Sequence, residues 1–288
     1  MKNETKTIIL CPNPYKDLDL AVTREAKAML EGAGHRVYIS PEYPEGTRAE
    51  VPADVACCGL FDHLPEAALV VSLGGDGTIM HTARRLTGHS VPIIGVNLGT
   101  VGFLAELDKA ELPRLLDAAV GNFEPSPRMM LHAELRRNGE AIYENYALND
   151  VYLHGVVQMI HMTARGDGRK ILEFSGDGLV IASPTGSTAY SMAAGGPLVE
   201  PTAENIILTP VCAHALAARS FVLAPDRAVT VELGPMRGGA MLSADGNGFE
   251  VRSGDVLSVR KAEHKTLIAH VGDKAFYDIV YEKLGERI

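Results

Sequence analysis

The stretch "LVVSLGGDGTIM", residues 69–80, decides the fold, because a continuous apolar run ends there in three glycines and one carboxylate and then turns polar. An apolar run of this length without alternation is how a strand buried on both faces of a parallel sheet reads. The polar residues that follow, "TIMHTARRL" (78–86), carry helical spacing. The same texture extends outward on both sides. "TIILCP" (7–12) and "RVYIS" (36–40) read as strands flanking a helix over Leu18, Val22, Ala26, Met29 and Ala33, and "VPIIGVNL" (91–98) as a further strand. Strands alternating with helices in this order predict an open α/β domain with a parallel sheet.

The texture changes at "GNFEPSPR" (121–128), where two prolines and a glycine follow the helical "PRLLDAAV". Beyond it, turn signals at "RRNGEA", "RGDGRK", "APDRA", "ADGNG" and "RSGD" separate short strands such as "FVLA", "AVTVEL" and "DVLSVRK". We therefore expect an α/β domain over 1–124, a mostly β domain over 125–270, and a helical segment over 271–288 that packs back on the first domain.

The 288 residues suffice for two domains, and 46% hydrophobic residues supply their cores. A net charge of −9 with no run of Lys or Arg argues against nucleic acid and anionic membranes as partners and leaves small molecules. The N-terminal "MKNETKTIIL" has no secretory apolar region and no segment reaches the length of a membrane span, so the expected location is the cytoplasm. Cys11, Cys57, Cys58 and Cys212 have neither zinc-site spacing nor the density of a disulfide framework. The ten histidines form no HExxH. No metal held by protein ligands alone is expected; a metal would arrive with a ligand.

Three stretches carry chemistry. Gly74, Gly75, Asp76 and Gly77 sit where a buried strand gives way to a helix, the place where open α/β sheets bind ligands. Glycines admit a bulky anion to the backbone N–H groups, and the helix start favours negative charge, which suits a phosphate chain. A carboxylate there would repel phosphates unless it orients a cation or faces a hydroxyl to be activated; the competing reading is a tight Asp-Gly turn with a helix cap. The stretch "SGDGLVIASPTGSTAYSMAAGGPLVEP" (175–201) places Ser183, Thr185, Ser187 and Thr188 beside Tyr190, more hydroxyls than one helix cap needs, which suggests a surface reading ribose hydroxyls and stacking on a ring. In "ALNDVYLHG" (147–155), Asn149 and Asp150 are either a turn or bulge, or an amide and carboxylate that hold two ribose hydroxyls.

In their order, "GGDGT" (74–78), "NLGTVGFLAEL" (97–107), "ND" (149–150), the long motif over 176–201 and "HALAARSFVLAP" (214–225) resemble the NAD kinase family. The resemblance covers most of the chain, and the long motif is its most specific part; "GGDGT" is shared with lipid kinases and, in variant form, phosphofructokinases. It implies an architecture like that of phosphofructokinase and diacylglycerol kinase. It also implies transfer of the γ-phosphoryl of ATP, or of polyphosphate, to the 2′-hydroxyl of the adenosine ribose of NAD, with Mg²⁺ arriving on the nucleotide. By the same resemblance Asp76 is the catalytic acid residue, and Gly74, Gly75, Gly77 and Thr78 cradle phosphates. NAD binding falls to Asp76, Gly77, His81, Phe103, Asn149, Asp150, Asp177, Thr185, Thr188, Ala189 and Tyr190. The family further implies a homodimer or homotetramer. Asp150 replaces a usual Glu, Ser183 a frequent Thr, Ala193 a frequent Ser and Glu200 a common His; His81 and Ser175 stand where some members carry basic residues. Two alternatives stay open: a lipid kinase sharing "GGDGT", and a catalytically silent NAD(P) sensor.

Overall fold

The computed structural model describes residues 4–43, 50–99, 102–215, 218–272 and 274–285. The chain forms two compact units, Met1–Pro127 with Thr266–Ile288, and Arg128–Lys265. Thr100 and Val101 of the "NLGTVGFLAEL" motif, Leu216 and Ala217 of the "HALAARSFVLAP" stretch, and the last three residues of the C-terminal segment lie outside the described residues.

In the first unit, β1 (Thr7–Pro12), β2 (Arg36–Ile39), β3 (Ala67–Gly74) and β4 (Ile93–Asn97) form a parallel sheet in the spatial order β4-β3-β1-β2. Every residue of β1 and β4 is buried, which accounts for their unbroken apolar sequences. Helix α1 (Ala21–Gly32) turns Val22, Ala26 and Leu30 into the core with Ile8, Leu10, Val71 and Ile94. Helix α2 spans Asp76–Arg85. The expected helix over 113–120 is broken into a 3₁₀ stretch, Lys109–Arg114, and the short α3 (Leu115–Ala119), since Pro113 cannot donate an N–H to an interior turn.

This strand order fixes where a ligand binds. The chain moves from β1 to one side for β2 and to the other for β3, so the loops after β1 and β3 diverge and leave a crevice beyond their carboxyl ends. The loop after β1 is tightly anchored. Asn13 donates its N–H to Leu73 O at 2.8 Å and its Nδ2 to Thr78 Oγ1 at 3.2 Å, while buried Asp17 accepts the N–H groups of Val22 and Thr23 at 2.9 and 2.8 Å.

The second unit is antiparallel β, as its turn signals predict. One sheet pairs Ile160–Gly166 with Arg169–Gly176 and Val229–Leu233, and the last of these with residues 256–259. The other, of six strands, includes Asp150–Gly155, Gly178–Ala182, Ile206–Val211, Ala240–Ala244 and Asn247–Val251. Asn138-Gly139, Asp167-Gly168 and Asp245-Gly246 all have positive φ at both positions, the backbone that two-residue hairpins demand. Met129, Leu131, Val151, Leu179, Leu208 and Leu242 contribute to its core. The short helix α4 (Tyr190–Ala193) follows the hydroxyl-rich loop, and the C-terminal helix α5 (Phe276–Gly285) belongs to the first unit.

Candidate active site

The glycine-rich stretch forms the N-terminus of α2. Gly75, in extended backbone, is the N-cap, and Asp76 and Gly77 are the first helical residues, two residues earlier than the expected start at Thr78. The N–H groups of a helix's first turn have no intrahelical acceptor and point outward, a favourable place for an anion. Gly74 cannot carry a side chain: a Cβ there would lie 2.2 Å from Thr78 Oγ1.

The Asp76 carboxylate is held from the loop after β4. Phe103 N–H donates to Oδ2 at 2.6 Å and Leu104 N–H to Oδ1 at 3.1 Å. Gly102 makes this possible, because a Cβ on it would lie 1.8 Å from Asp76 Oδ1. Asp76 therefore does not cap its own helix; its side chain is braced by another loop. Lys283 of α5 lies over the Phe103 ring, 4.4 Å from its centre. Burial holds the Lys283 ammonium below the usual lysine range, while the charge of Asp76 acts to raise it. Asp76, Gly77 and Phe103 are thus neighbours within the first unit. His81 faces elsewhere: its Nε2 lies 3.0 Å from Glu42 Oε2, and Arg85 binds the same buried carboxylate. Among the described residues no three His, Cys, Asp or Glu side chains converge as a metal cage.

In the second unit, Asn149 and Asp150 lie at the start of a central strand, both nearly buried. Asn149 O accepts the Ser183 N–H at 2.8 Å, which ties the pair to the hydroxyl-rich loop. Three of the four hydroxyls of that loop also bond the protein itself. Ser183 Oγ bonds Leu148 O and accepts the Gly186 N–H, Ser187 Oγ bonds the backbone of Val199, and Thr188 Oγ1 donates to Thr185 O. A buried irregular loop must satisfy its own backbone, and these side chains do so. Among the described residues five side-chain polar atoms are buried without a partner, and two of them, Asn149 Oδ1 and Thr185 Oγ1, belong to this pair and this loop. An unpaired buried acceptor costs about 1–3 kcal/mol, so this pair marks a place where a ligand donor is expected. Tyr190 stands edge-on to Tyr152 at 5.1 Å, and its backbone N–H acts to lower the pKa of the Asp150 carboxyl. Asp177 is exposed and interacts with the Cys212 thiol.

The Asp150 carboxyl is pushed up to about 7, first by burial and then by the charge of Asp245, with the Tyr190 N–H acting in the opposite direction. Asp245 is the residue that reading the sequence missed. It occupies the turn expected at "ADGNG", with φ of 46°, yet its carboxylate accepts the N–H groups of Leu148, Asn149 and Asp150 at 2.6, 3.0 and 3.1 Å. The only local signal was a fourth Asp-Gly pair, since its partners lie 95 to 97 residues away. Replacement of Asp245 by Asn puts an NH₂ group against one of these donors. The expected cost is about 1–3 kcal/mol, read as a lower Tm, together with a lower pKa for Asp150 by NMR titration because the neighbouring charge is gone.

Comparison with known proteins bears on both units. Residues 10–122 match the model of the ATP-NAD kinase N-terminal domain and residues 148–271 that of the ATP-NAD kinase C-terminal domain. An NAD kinase of Caldanaerobacter subterraneus subsp. tengcongensis is 34% identical over 286 residues, 98% of this chain and all of the relative. One from Geotalea daltonii is 40% identical over 233 residues, 78% of this chain and 82% of the relative. Among solved structures, yeast NADH kinase complexed with NADH superposes with a TM-score of 0.86 at 23% identity, covering 98% of this chain and 88% of the yeast chain. An Archaeoglobus fulgidus NAD kinase in complex with ATP gives 0.73 at 23% identity, with 97% and 98% covered.

Proposed function

The chain belongs to the NAD kinase family and phosphorylates NAD to NADP with ATP; from that premise we propose that Asp76 orients the 2′-hydroxyl of the adenosine ribose and accepts its proton. The observation that carries this role is the brace on its carboxylate from Phe103 and Leu104 N–H, which fixes an acid at the phosphate-binding end of the parallel sheet. Phosphoryl transfer passes through a loose transition state, so positioning and charge neutralisation supply most of the rate. The bond from the γ-phosphorus to the β-phosphate bridging oxygen breaks and a bond to the ribose 2′-oxygen forms. ADP departs, and the hydroxyl proton passes late to Asp76 and then to solvent. Of the alternatives, the lipid kinase is set aside by the match of both domains to ATP-NAD kinase models.

The first-turn N–H groups of α2 receive phosphate oxygens, and Gly74 and Thr78 shape that turn. Mg²⁺ arrives with ATP, as suits a cation that keeps its waters and takes one or two carboxylates plus substrate phosphates. Asn149 and Asp150 accept hydrogen bonds from ribose hydroxyls of NAD, with the unpartnered Asn149 Oδ1 as the support for this role. Thr185, Ala189 and Tyr190 of the second unit are assigned to NAD, and within the first unit Phe103 is assigned to adenosine. Asp177 and Thr188 complete the set, and His81 serves it only if it leaves Glu42. The second unit exposes Val156, Val157, Met159, Phe221 and Val222, which supports a homo-oligomer built through that unit. Among the described residues no helix is long and apolar enough to cross a membrane.

A pH dependence follows from Asp150. A hydroxyl donating to its carboxylate favours the ionised form, so NAD affinity rises with pH up to about 7, by up to tenfold per unit, and then levels. Titration calorimetry of NAD from pH 5.5 to 8.5 checks this, with Asp150→Asn flattening the profile; a flat wild-type profile contradicts the assignment. In the free protein the sign is opposite. The folded pKa lies above the unfolded value, so the contribution of Asp150 to stability is full below about 4 and is lost as pH rises through about 7.

A further inference from the structure

We propose that Lys16, which neither its local sequence nor the family motifs bring forward, is the cationic side chain that receives the phosphate chain of the donor nucleotide; this rests on the NAD kinase reading above. Lys16 lies in the loop after β1, one of the two loops that diverge at the sheet's switch point. Its Nζ lies 3.8 Å from the position a Cβ on Gly75 would take and 3.0 Å from that on Gly99. The ammonium therefore sits between the N-cap of α2 and the loop after β4, in space left open by two glycines.

The backbone beneath it is fixed. Lys16 N–H donates to Asn13 O at 2.9 Å, Tyr15 N–H to Asn13 Oδ1 at 3.0 Å, and Asn13 is itself bonded to Leu73 and Thr78. A short loop bonded to β3 and to the first turn of α2 thus sets where the lysine stem begins. The next residue, Asp17, turns its carboxylate to the N–H groups of Val22 and Thr23 and forms no ion pair with Lys16.

The electrostatics point to an anion. Among the described residues Lys16 has no hydrogen-bonded or ion-paired side-chain partner. It stands beside the N-terminus of a ten-residue helix, which carries the equivalent of about half a positive charge. Two positive centres side by side repel each other mildly in water, and a phosphate chain reverses that sign. Asp76, in the same turn, adds a negative charge that makes a nearby cation more necessary when phosphates enter. A lysine suits this task as a compact point charge on a flexible stem, able to follow the phosphates as they pass from ATP to ADP.

The test compares wild type with Lys16→Ala, Lys16→Gln and Lys16→Arg, using MgATP and NAD. Expected are a KM for ATP raised roughly ten- to hundredfold in the Ala and Gln variants, the range a charge-assisted hydrogen bond spans. The KM for NAD and the Tm stay within twofold and about 2 °C of wild type because the side chain is exposed, and Arg restores most of the loss. The salt dependence of the ATP KM should also weaken in the Ala variant. An unchanged ATP KM in Lys16→Ala overturns the proposal while leaving the NAD kinase reading intact. If wild type forms no NADP, that reading fails instead, and calorimetry with inorganic tripolyphosphate still decides on Lys16: weaker binding by the Ala variant supports it, and equal binding overturns it.

Discussion

Asp76→Asn is expected to lower kcat by about 10²- to 10⁴-fold, the range that a positioned general base contributes, with the KM for NAD little changed. The substitution keeps the side chain's size, so ligand access is preserved. It also replaces one acceptor oxygen by NH₂, and the carboxylate now accepts two N–H groups, from Phe103 and Leu104. One of them must lose its partner, which costs about 1–3 kcal/mol and lowers Tm by some degrees. The two effects separate cleanly. A brace without chemical function would show the Tm change with kcat within a few-fold of wild type, whereas the proposed role requires the kcat loss at temperatures where the variant is fully folded. Gly102→Ala offers an independent route to the same carboxylate, since the new methyl group would occupy its place and push it away.

Gly186→Ala is expected to have the largest effect on stability. A Cβ at this position would lie 2.0 Å from Asn149 O, 2.4 Å from its C and 2.7 Å from its Cα. These are backbone atoms that cannot swing aside, and the same carbonyl is fixed by the Ser183 N–H while Asp245 holds the Asn149 N–H. Relief requires the hydroxyl-rich loop to part from the start of the strand at Asp150, at a cost of about 1–3 kcal/mol or more. Thermal unfolding should show a fall in Tm of several degrees, and the KM for NAD should rise because Asn149 and Thr185 no longer face one ligand. Gly32→Ala is the control: nothing lies within 4 Å of its Cβ position, and stability should be unchanged or slightly higher. Equal stability of the two variants would show that the close approach of Gly186 to Asn149 is not a constraint.

The parallel sheet was legible because burial on both faces leaves an unbroken apolar sequence, as in "TIILCP" and "LVVSLG", and the hairpins because Asn-Gly and Asp-Gly supply the positive φ such turns need. Asp76 was legible as a candidate because it sits among glycines where a buried strand gives way to a helix, the place where open α/β sheets bind ligands. What holds it was not, since Phe103 and Leu104 act through backbone N–H groups, which any residue but proline carries. In the hydroxyl-rich loop a second use was not legible: Ser183, Ser187 and Thr188 also satisfy backbone, a demand that only the folded path of the loop reveals. Asp245 bonds residues nearly a hundred positions away and Lys16 lies between the N-cap of α2 and the loop after β4, and no local pattern encodes such meetings.

The measurement that tests the account most directly follows ADP and NADP together in one reaction of the wild-type protein with MgATP and NAD, with Asp76→Asn alongside. One NADP per ADP is expected from the wild type, and loss of both products in the variant while it remains folded and binds NAD. Release of ADP without NADP, or NADP formation that survives Asp76→Asn at near wild-type rate, would contradict it.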